Sequence, residues 1–571
     1  MMHKTKRTIS GVLNWFAHPV FWLWAAPLLL IAPNIWLAIT EYNSVLAKIT
    51  NIILPLGLYM LLFSLSKKIG RTILFFLPII ILSGFQIVLL VLYGESIIAI
   101  DMYVNLLTTS ASEAKELLGN LLGAISVIVI LYLPLLVAAI IMYINKRYVG
   151  VKRRRHMRVA SYVLLIIGTI LFFITVLFTE GFMPRRELFP YNVAENLVTA
   201  IRRTNMSMHY HTTSREFNYS PVMTRDKDMP EVFVIVIGET SRAENWELFG
   251  YDRPTNPRLK QREGVYAFPK VLTEINTTHK AVPMLLSYLL PENFGDSVAY
   301  TKSIFSAFNN VGYRTAFLSN QKRNHSYLDN YGEEAQLAEF ISDRGGTMRD
   351  INLIGAMNEI IDKSPSHKVF IVLHTYGSHF EYRKRYPSDM AYFTPDINSG
   401  ATRFNREQLL NAYDNTIRYT DALLDGVIES LDNLDIPATM IFVSDHGEDI
   451  FDDERERFLH SSPTPTAHQI HVPMVIWLSK EFEDIHPDIV NALRNNKDKN
   501  IASTSSLFHT ILDITGVRSP YYDATYSVAS PKFTPRPRKY LNDYNESVPL
   551  TKSGIHQQDI EVFKKRNIDY E

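Results

Sequence analysis

The chain has 571 residues, 58 basic and 58 acidic side chains, and no cysteine. This length exceeds one ordinary domain, the missing cysteines exclude any disulfide framework, and the balanced charge gives no indication of nucleic-acid binding. Hydrophobic residues make up 47% of the chain and are concentrated in its first third, so the sequence combines two unlike parts.

Five apolar stretches in the first third are each long enough to cross a bilayer core of about 30 Å. They are residues 20–39, 49–65, 72–92, 122–143 and 159–178. We therefore predict an N-terminal transmembrane domain of five helices over residues 1–180. The first stretch is long and four more follow it, so we expect it to stay as an anchor and not to be cleaved as a signal peptide.

Lysine and arginine are concentrated in alternate segments between these stretches. They cluster before the first, between the second and third, and between the fourth and fifth, where the run KRRRHMR occurs. The positive-inside rule places the amino terminus in the cytoplasm. Since five crossings are an odd number, we expect the rest of the chain outside the cytoplasm.

The loop between the third and fourth stretches carries Asn105, Thr109 and Glu113 at intervals of four residues. In a helix this spacing places all three on one face. Near a bilayer such a face could bind the amine of a lipid headgroup. The alternative is the solvated face of an interfacial helix.

Beyond the apolar third, residues 181–230 read as a linker with a short helix near 193–203. Short apolar runs then alternate with helical patterns over residues 231–571. Strands are predicted near 232–237, 315–318, 369–373, 439–443 and 473–478, a long helix over 406–434, and an extended tail after 530. This alternation predicts an α/β domain with a mainly parallel sheet sandwiched by helices.

Two of these strand patterns end in residues that bind metals. Glu239 follows the first, and Asp445 with His446 follows the fourth. The carboxyl ends of parallel strands meet at one edge of a sheet, so we expect these three side chains to converge. Two carboxylates and an imidazole suit zinc or, less well, manganese, because calcium and magnesium prefer oxygen ligands alone.

Chemistry at such a metal needs a nucleophile, because a neutral hydroxyl is weak until coordination lowers its pKa. The segment TEINTTHKAVPM offers several hydroxyls in a loop. Thr278 is our candidate, with Thr273, Thr277 and Ser287 as alternatives. Any of these could instead be a turn or cap residue.

Histidines follow the third strand pattern and the metal-binding motif. They are His374, His379, His460, His468 and His471. We predict that at least two act on substrate, by binding a second metal ion, holding a phosphoryl oxygen or donating a proton. The alternative for each is a structural hydrogen bond.

Five blocks in the soluble half resemble the bacterial phosphoethanolamine transferases that modify lipopolysaccharide. They are VIVIGETSRAENWELFGYDRPTNPRL, HTYGSHFEYRKRYP, YDNTIRYTD, FVSDHGE and FLH followed by HVPMVIW. The resemblance covers essentially the whole chain. It implies five membrane spans in the bacterial inner membrane and a periplasmic domain with the alkaline phosphatase and sulfatase fold.

The resemblance also implies roles for individual residues. Glu239, Thr278, Asp445 and His446 would bind one catalytic zinc, with a second zinc left open. Thr278 would be the nucleophile, and His379 and His460 would handle the substrate phosphate and protons. The substrate-binding residues would be Asn105, Thr109, Glu113, His374, Lys322 and His468.

The reaction implied moves phosphoethanolamine from phosphatidylethanolamine to lipid A, a core sugar or another envelope glycan, through a phosphoethanolamine-threonine intermediate. A monomer is expected. The lack of cysteine resembles the branch that modifies core sugars or other glycans. The rivals are a glycerol-phosphate transferase, a sulfatase-like phosphohydrolase and a non-catalytic scaffold, although THKAVP lacks the Cys or Ser followed by Pro and Arg of sulfatases.

Overall fold

The structure of this protein is a computed structural model that describes residues 16–40, 44–93, 99–108, 122–179, 182–226, 228–341, 349–397 and 400–571. The chain forms two compact units. The first comprises Met1–Tyr103 and Leu117–Ala200, and the second comprises Val104–Glu116 and Ile201–Glu571.

The apolar helices of the first unit agree with the predicted spans. Four described helices are long and apolar enough to cross a membrane: Pro19–Thr40, Val45–Leu65, Leu122–Ile144 and Val151–Phe178. The first of these consists of Pro19–Leu30 and Ala32–Thr40. The last begins eight residues before the predicted start, because the lysines and arginines of the basic run are good helix formers.

The remaining predicted span is broken in the middle. Ile69–Phe75 and Leu77–Val91 pass the test together and are bent by 54° at Phe76. Pro78 lies in the first turn of the second piece, and its missing N–H cannot bond back to the preceding turn. The described residues thus contain four candidate membrane spans, or five when the bent pair is counted as one span.

Three shorter helices are described in the N-terminal part of the chain, and a longer series is described after it. The N-terminal ones are Ile100–Thr108, Pro184–Glu187 and Tyr191–Met208. The others are Tyr210–Thr213, Thr278–Leu285, Ile304–Asn310, Tyr327–Gly332, Asn352–Asp362, Arg406–Asp432, Ala467–Ile470, Lys480–Ile485, Pro487–Asn496, Ser503–Thr515 and Gln557–Lys565.

A seven-stranded sheet forms the centre of the second unit. Its strands are β1 (Glu231–Gly238), β2 (Val265–Phe268), β3 (Arg314–Ser319), β4 (Leu337–Phe340), β5 (Lys368–His374), β6 (Ala438–Ser444) and β7 (Met474–Leu478). Their order across the sheet is β2-β7-β6-β1-β5-β3-β4. All neighbours are parallel except that β7 runs antiparallel to both β6 and β2.

The predicted mainly parallel sheet is confirmed, and all five predicted strands are present within two residues of their expected ends. The prediction did not include the edge strands β2 and β4. Each has only four residues and partly exposed side chains, so its signal is weaker than that of the longer, fully apolar central strands.

The central strands are buried on both faces, as parallel strands covered by helices must be. All eight residues of β1 and all seven of β5 and β6 are buried. The long helix Arg406–Asp432 packs on this sheet, and its buried apolar residues include Leu424 and Ile428. A rigid scaffold of this kind holds its strand ends in fixed positions.

Within the described residues, four two-stranded sheets lie outside the main sheet. They pair Val222–Met223 with Val517–Arg518, Asp449–Ile450 with Phe458–Leu459, Val271–Leu272 with Ile501–Ala502, and Lys539–Leu541 with Ser547–Pro549. The last pair and the helix Gln557–Lys565 show that the tail is not simply extended. Phe563 on that helix is fully buried, so hydrophobic packing orders this end of the chain.

Candidate metal centre

Glu239 and Asp445 meet because β1 and β6 are neighbouring parallel strands. The last residues of the two strands, Gly238 and Ser444, are direct partners in the sheet. The residue after each strand, Glu239 or Asp445, carries a buried carboxylate. The topology therefore brings together two segments that lie about 200 positions apart in the sequence.

Thr278 reaches the same point from the first turn of the helix Thr278–Leu285. Its hydroxyl lies 3.3 Å from both carboxylate oxygens of Glu239 and 3.0 Å from His446 Nε2. It is half-buried, whereas Glu239 and His446 are fully buried. Of the candidate hydroxyls, Thr278 is the one with these contacts, and a substrate can approach it from solvent.

The orientation of His446 suits a metal ligand. Its Nδ1 lies 2.9 Å from the carbonyl oxygen of Gly447, which can only accept a hydrogen bond. Nδ1 must therefore carry the proton, and the lone pair of Nε2 faces Thr278, Glu239 and Asp445. Burial lowers the pKa of His446 to about 3, so the ring is neutral at physiological pH, as coordination requires.

The two buried carboxylates favour a positive charge between them. Burial and the neighbouring carboxylate of Asp445 raise the pKa of Glu239 well above its ordinary value, and burial also raises the pKa of Asp445. Asp445 Oδ2 is buried 3.3 Å from His446 Nε2, and the described residues offer it no hydrogen bond of good geometry. A divalent cation would satisfy both groups, so this donor set fits zinc.

The backbone around the centre is held in unusual conformations. Thr240, directly after Glu239, has a φ of 53°, which is strained for a β-branched residue. Its N–H donates to Asp445 Oδ1, and its carbonyl accepts the hydroxyl of Tyr413. A buried tyrosine therefore anchors the turn that aims Glu239 at the site.

Two glycines are required here by close packing. Gly377 has a φ of 53°, and a Cβ at this position would lie 2.7 Å from the carbonyl oxygen of Glu239. A Cβ on Gly447 would lie 2.2 Å from the carbonyl oxygen of His468. Any larger residue would push apart the loops that carry the metal-binding side chains.

His460 lies beside two of the candidate metal ligands, Glu239 and His446. One ligand atom each of Glu239, His446 and His460 lies within 4.8 Å of the others. The rings of His446 and His460 are 4.2 Å apart between centroids, and burial lowers the pKa of His460 to about 3. His460 can thus join the metal ligands or face a substrate bound there.

His379 lies next to His460, with 6.1 Å between the ring centroids. Its Nδ1 donates to the carbonyl oxygen of Phe380 at 2.6 Å, which directs Nε2 away from that bond. The ring is half-buried and can exchange protons with solvent. The structure therefore places His379 beside His460, and His460 beside the candidate metal ligands Glu239 and His446.

Gln321 is a site residue to which the sequence analysis gave no role. Its side-chain amide donates to Glu239 Oε2 and to the carbonyl oxygen of Thr375, both at 2.9 Å. It follows β3, so the rule that functional residues gather at the carboxyl ends of parallel strands could have identified it. Lys322, predicted to bind substrate, is the exposed residue next to it.

His468 belongs to a polar network with Arg242 and Asp452. Arg242 donates two hydrogen bonds to the carboxylate of Asp452, at 3.0 and 3.1 Å, and a third to His468 Nδ1 at 2.9 Å. Because an arginine can only donate, Nδ1 of His468 accepts. The half-buried ring is held by Arg242, whose own segment carries Glu239.

The other predicted substrate-binding residues lie in different surroundings. His374 is fully buried at the end of β5, where its Nδ1 lies 3.0 Å from Ser319 Oγ and burial lowers its pKa to about 3. Asn105 donates to Ser461 Oγ at 3.2 Å, next to His460. Thr109 and Glu113 lie outside the described residues.

Known proteins with similar sequences are phosphoethanolamine transferases. The chain is 32% identical over 314 residues to the phosphoethanolamine transferase EptA of Escherichia coli K12, an alignment that covers 53% of this chain and 56% of that protein. The chain thus spans about half the length of the curated relatives it matches.

Solved structures show the same fold. The integral membrane lipooligosaccharide phosphoethanolamine transferase A of Neisseria meningitidis matches with a TM-score of 0.70 and 21% identity, over 89% of this chain and 97% of that one. The periplasmic domain of Escherichia coli EptC, crystallised with zinc, matches with a TM-score of 0.52 and 24% identity, over 58% of this chain and 96% of that one.

A family model covers the domain that contains the metal centre. Residues 231–517, half of the chain, match the model described as Sulfatase. This segment begins with β1 and includes Glu239, Thr278, Asp445 and His446. The chain therefore belongs to the sulfatase family.

Proposed function

We propose that this protein is a phosphoethanolamine transferase, which moves phosphoethanolamine from phosphatidylethanolamine to lipopolysaccharide or another envelope glycan. The observation that carries the proposal is the half-buried Thr278 hydroxyl, 3.0 Å from His446 Nε2 and 3.3 Å from both oxygens of Glu239. The names of the relatives support phosphoethanolamine as the transferred group.

Glu239, Asp445, His446 and the Thr278 hydroxyl would hold one zinc ion, which would lower the pKa of that hydroxyl and stabilise negative charge on the phosphoryl oxygens. The buried carboxylates and the neutral His446 support this choice of metal. The zinc in the crystallised EptC domain is a further, weaker argument, since that protein shares only the fold at 24% identity.

In the first step, Thr278 Oγ attacks the phosphorus of phosphatidylethanolamine, and the bond from phosphorus to the glycerol oxygen breaks. The hydroxyl loses its proton to solvent as the new bond forms. The leaving diacylglycerol oxygen takes a proton, for which half-buried His379 is our candidate donor because its Nε2 can exchange with water. The product is a phosphoethanolamine ester of Thr278.

In the second step, an acceptor oxygen attacks the same phosphorus and the bond to Thr278 Oγ breaks. The histidine that gave its proton in the first step now takes the acceptor's proton, by microscopic reversibility. The Thr278 oxygen takes a proton from solvent and recovers its hydroxyl. Two steps with one nucleophile let a lipid donor and a glycan acceptor use the same site in turn.

The apolar helices suit a lipid donor. A phospholipid that leaves the bilayer exposes its acyl chains to water, at about 0.8 kcal/mol per CH₂ group. An enzyme anchored in the same membrane avoids that cost. The basic residues beside the spans support an inner-membrane protein whose catalytic domain faces the periplasm.

The test follows diacylglycerol release and the covalent intermediate. Full-length zinc-loaded protein in detergent is mixed with phosphatidylethanolamine labelled on an acyl chain. We expect labelled diacylglycerol to appear and a tryptic peptide containing Thr278 to gain the mass of one phosphoethanolamine group. Thr278→Ala should show neither signal, and Thr278→Ser should retain part of both.

Three outcomes would contradict the proposal. Diacylglycerol release by Thr278→Ala at the parent rate would exclude the nucleophile. Release from phosphatidylglycerol but not from phosphatidylethanolamine would favour the glycerol-phosphate transferase. Release without any mass gain on Thr278 or on an added glycolipid would favour a phosphohydrolase.

A further inference from the structure

Arg385 is a buried arginine that binds the loop carrying His379. It follows the 3₁₀ turn Tyr382–Lys384 and is 5% exposed. Its Nε donates to the carbonyl oxygen of His379 at 2.8 Å, and its Nη2 donates to that of Phe380 at 3.0 Å. Arginine is rarely buried to this degree unless its donors have partners, and here two of them bind consecutive carbonyl groups.

The carbonyl oxygen of Phe380 accepts two hydrogen bonds. One comes from Arg385 Nη2, and the other comes from Nδ1–H of His379 at 2.6 Å. A carbonyl oxygen has two lone pairs, so it can accept both bonds at once. Arg385 therefore holds the acceptor that sets the orientation of the His379 ring.

Arg385 also supports the His379 ring through a tyrosine. Its guanidinium lies over the ring of Tyr376, 3.9 Å from the centroid, which is a cation–π contact. The rings of Tyr376 and His379 meet at 90° with 5.3 Å between their centroids, in an edge-to-face pair. Arg385 thus contacts the carbonyl of His379, the acceptor of its Nδ1–H and the ring packed against it.

The beginning of the same loop is held by a different residue. The buried carboxylate of Asp350 accepts the backbone N–H groups of Tyr376 and Gly377, both at 2.8 Å. These bonds fix the loop before His379 and do not involve Arg385. A change of Arg385 should therefore affect His379 more than the loop as a whole.

We propose that Arg385 is a positioning residue for proton transfer by His379. This rests on the proposed function, in which His379 Nε2 gives a proton to the glycerol oxygen as the bond from that oxygen to phosphorus breaks. The proton on Nδ1 stays in its bond to the carbonyl of Phe380, which Arg385 holds in place. Without Arg385, the ring is no longer held at one angle, and Nε2 is directed less precisely at the leaving oxygen.

Two donors with different leaving groups test this in full-length, zinc-loaded protein in detergent. Diacylglycerol needs a proton to leave, whereas nitrophenolate leaves 4-nitrophenyl phosphoethanolamine without one. We expect Arg385→Met to release diacylglycerol from phosphatidylethanolamine about a hundredfold more slowly than the parent, the effect of misplacing a group by about 1 Å. Its release of nitrophenolate should equal that of the parent. The exposed neighbour variant Lys384→Met should match the parent with both donors.

Two further variants separate positioning from general damage to the fold. Arg385→Lys keeps the positive charge but lacks the planar fork, so it can hold only one of the two carbonyl groups. We expect a smaller loss with phosphatidylethanolamine than in Arg385→Met, and none with the nitrophenyl donor. In a His379→Ala background, Arg385→Met should cause no further loss, because the two residues act as one unit.

Three kinetic results would overturn the inference. The first is equal diacylglycerol release by Arg385→Met and the parent. The second is an equal loss with both donors, which would show a purely structural role. The third is a full additional loss in the His379→Ala background, which would show that Arg385 acts on another group.

A measurement without substrate separates this inference from the proposed function. Deuterium exchange at the carbon between the two ring nitrogens of His379, followed by mass spectrometry, reports how freely water reaches the ring. We expect faster exchange in Arg385→Met than in the parent, and an unchanged rate at the exposed His209. Equal exchange at His379 would overturn the inference. Absent diacylglycerol release by the parent, beside Arg385-dependent exchange, would contradict only the proposed function.

Discussion

His446 Nε2 lies 3.0 Å from the hydroxyl oxygen of Thr278, and the backbone sets this contact. The Nδ1–H of His446 donates to the carbonyl oxygen of Gly447, so the ring has one orientation and one tautomer. The first turn of a helix supplies Thr278, and the end of a buried strand supplies His446. The fold itself thus holds the candidate nucleophile next to a candidate metal ligand.

Removing the imidazole of His446 should remove the metal. We expect His446→Ala to lose bound zinc and to reduce transfer activity on the order of a thousandfold, because the hydroxyl of Thr278 then keeps its ordinary pKa. The measurement is zinc per protein by mass spectrometry, beside labelled diacylglycerol release. The exposed His209→Ala is the control and should keep full zinc occupancy. Stoichiometric zinc in His446→Ala would contradict the ligand assignment.

Gln321 should raise the affinity of the site for zinc without binding the ion itself. Its amide donates to Glu239 Oε2, and loss of such an outer partner lowers metal affinity by roughly 10- to 100-fold. We expect Gln321→Leu to release zinc to a competing chelator at a chelator concentration roughly 10- to 100-fold lower than the parent needs. The exposed neighbour Lys322→Ala should leave zinc affinity unchanged. Parent affinity in Gln321→Leu would show that the hydrogen bond has no influence on the metal.

A methyl group on Gly447 should damage the centre. It would lie 2.2 Å from the carbonyl oxygen of His468, so the loops must move apart, at a cost of about 1–3 kcal/mol. We expect Gly447→Ala to lower the thermal midpoint and to weaken zinc binding. Gly355→Ala is a matched control, because a Cβ in that exposed helical position meets nothing within 4 Å. That control should be neutral or more stable, by up to about 1 kcal/mol.

Glu274 should make stability depend on pH. Burial raises its pKa to about 7, although hydroxyl hydrogen bonds from Ser505 and Thr504 oppose this shift. Between its ordinary pKa of 4.5 and about 7, the folded protein binds more protons than the unfolded chain. Stability therefore falls as the pH rises through this window, by at most about 3 kcal/mol.

Replacing Glu274 with glutamine should remove this dependence. We expect Glu274→Gln to lose less of its thermal midpoint than the parent between pH 4 and pH 8, values that flank the window of about 4.5 to 7. The exposed Glu561→Gln should follow the parent curve. Identical pH profiles for Glu274→Gln and the parent would show that this carboxyl is not the cause.

Elements with strong local patterns were predictable. The central strands are continuous apolar runs, and the residues that end them, Glu239 and Asp445, were identified because parallel strands deliver their carboxyl ends to one edge. The helix 406–434 was equally clear, since its apolar positions recur with helical period. The edge strands β2 and β4 have four residues each, which is too short for a clear pattern, and the pattern for the tail was too weak to predict its hairpin and helix.

By itself, the amino-acid sequence determined the membrane-spanning character of the first third, the mainly parallel sheet and the types of residue available to bind a metal. These follow from local periodicity and side-chain chemistry. Only the tertiary structure decided that Gln321 donates to Glu239, and that ligand atoms of Glu239, His446 and His460 lie within 4.8 Å of one another. Such contacts join residues far apart in the chain, so their distances depend on how whole elements pack.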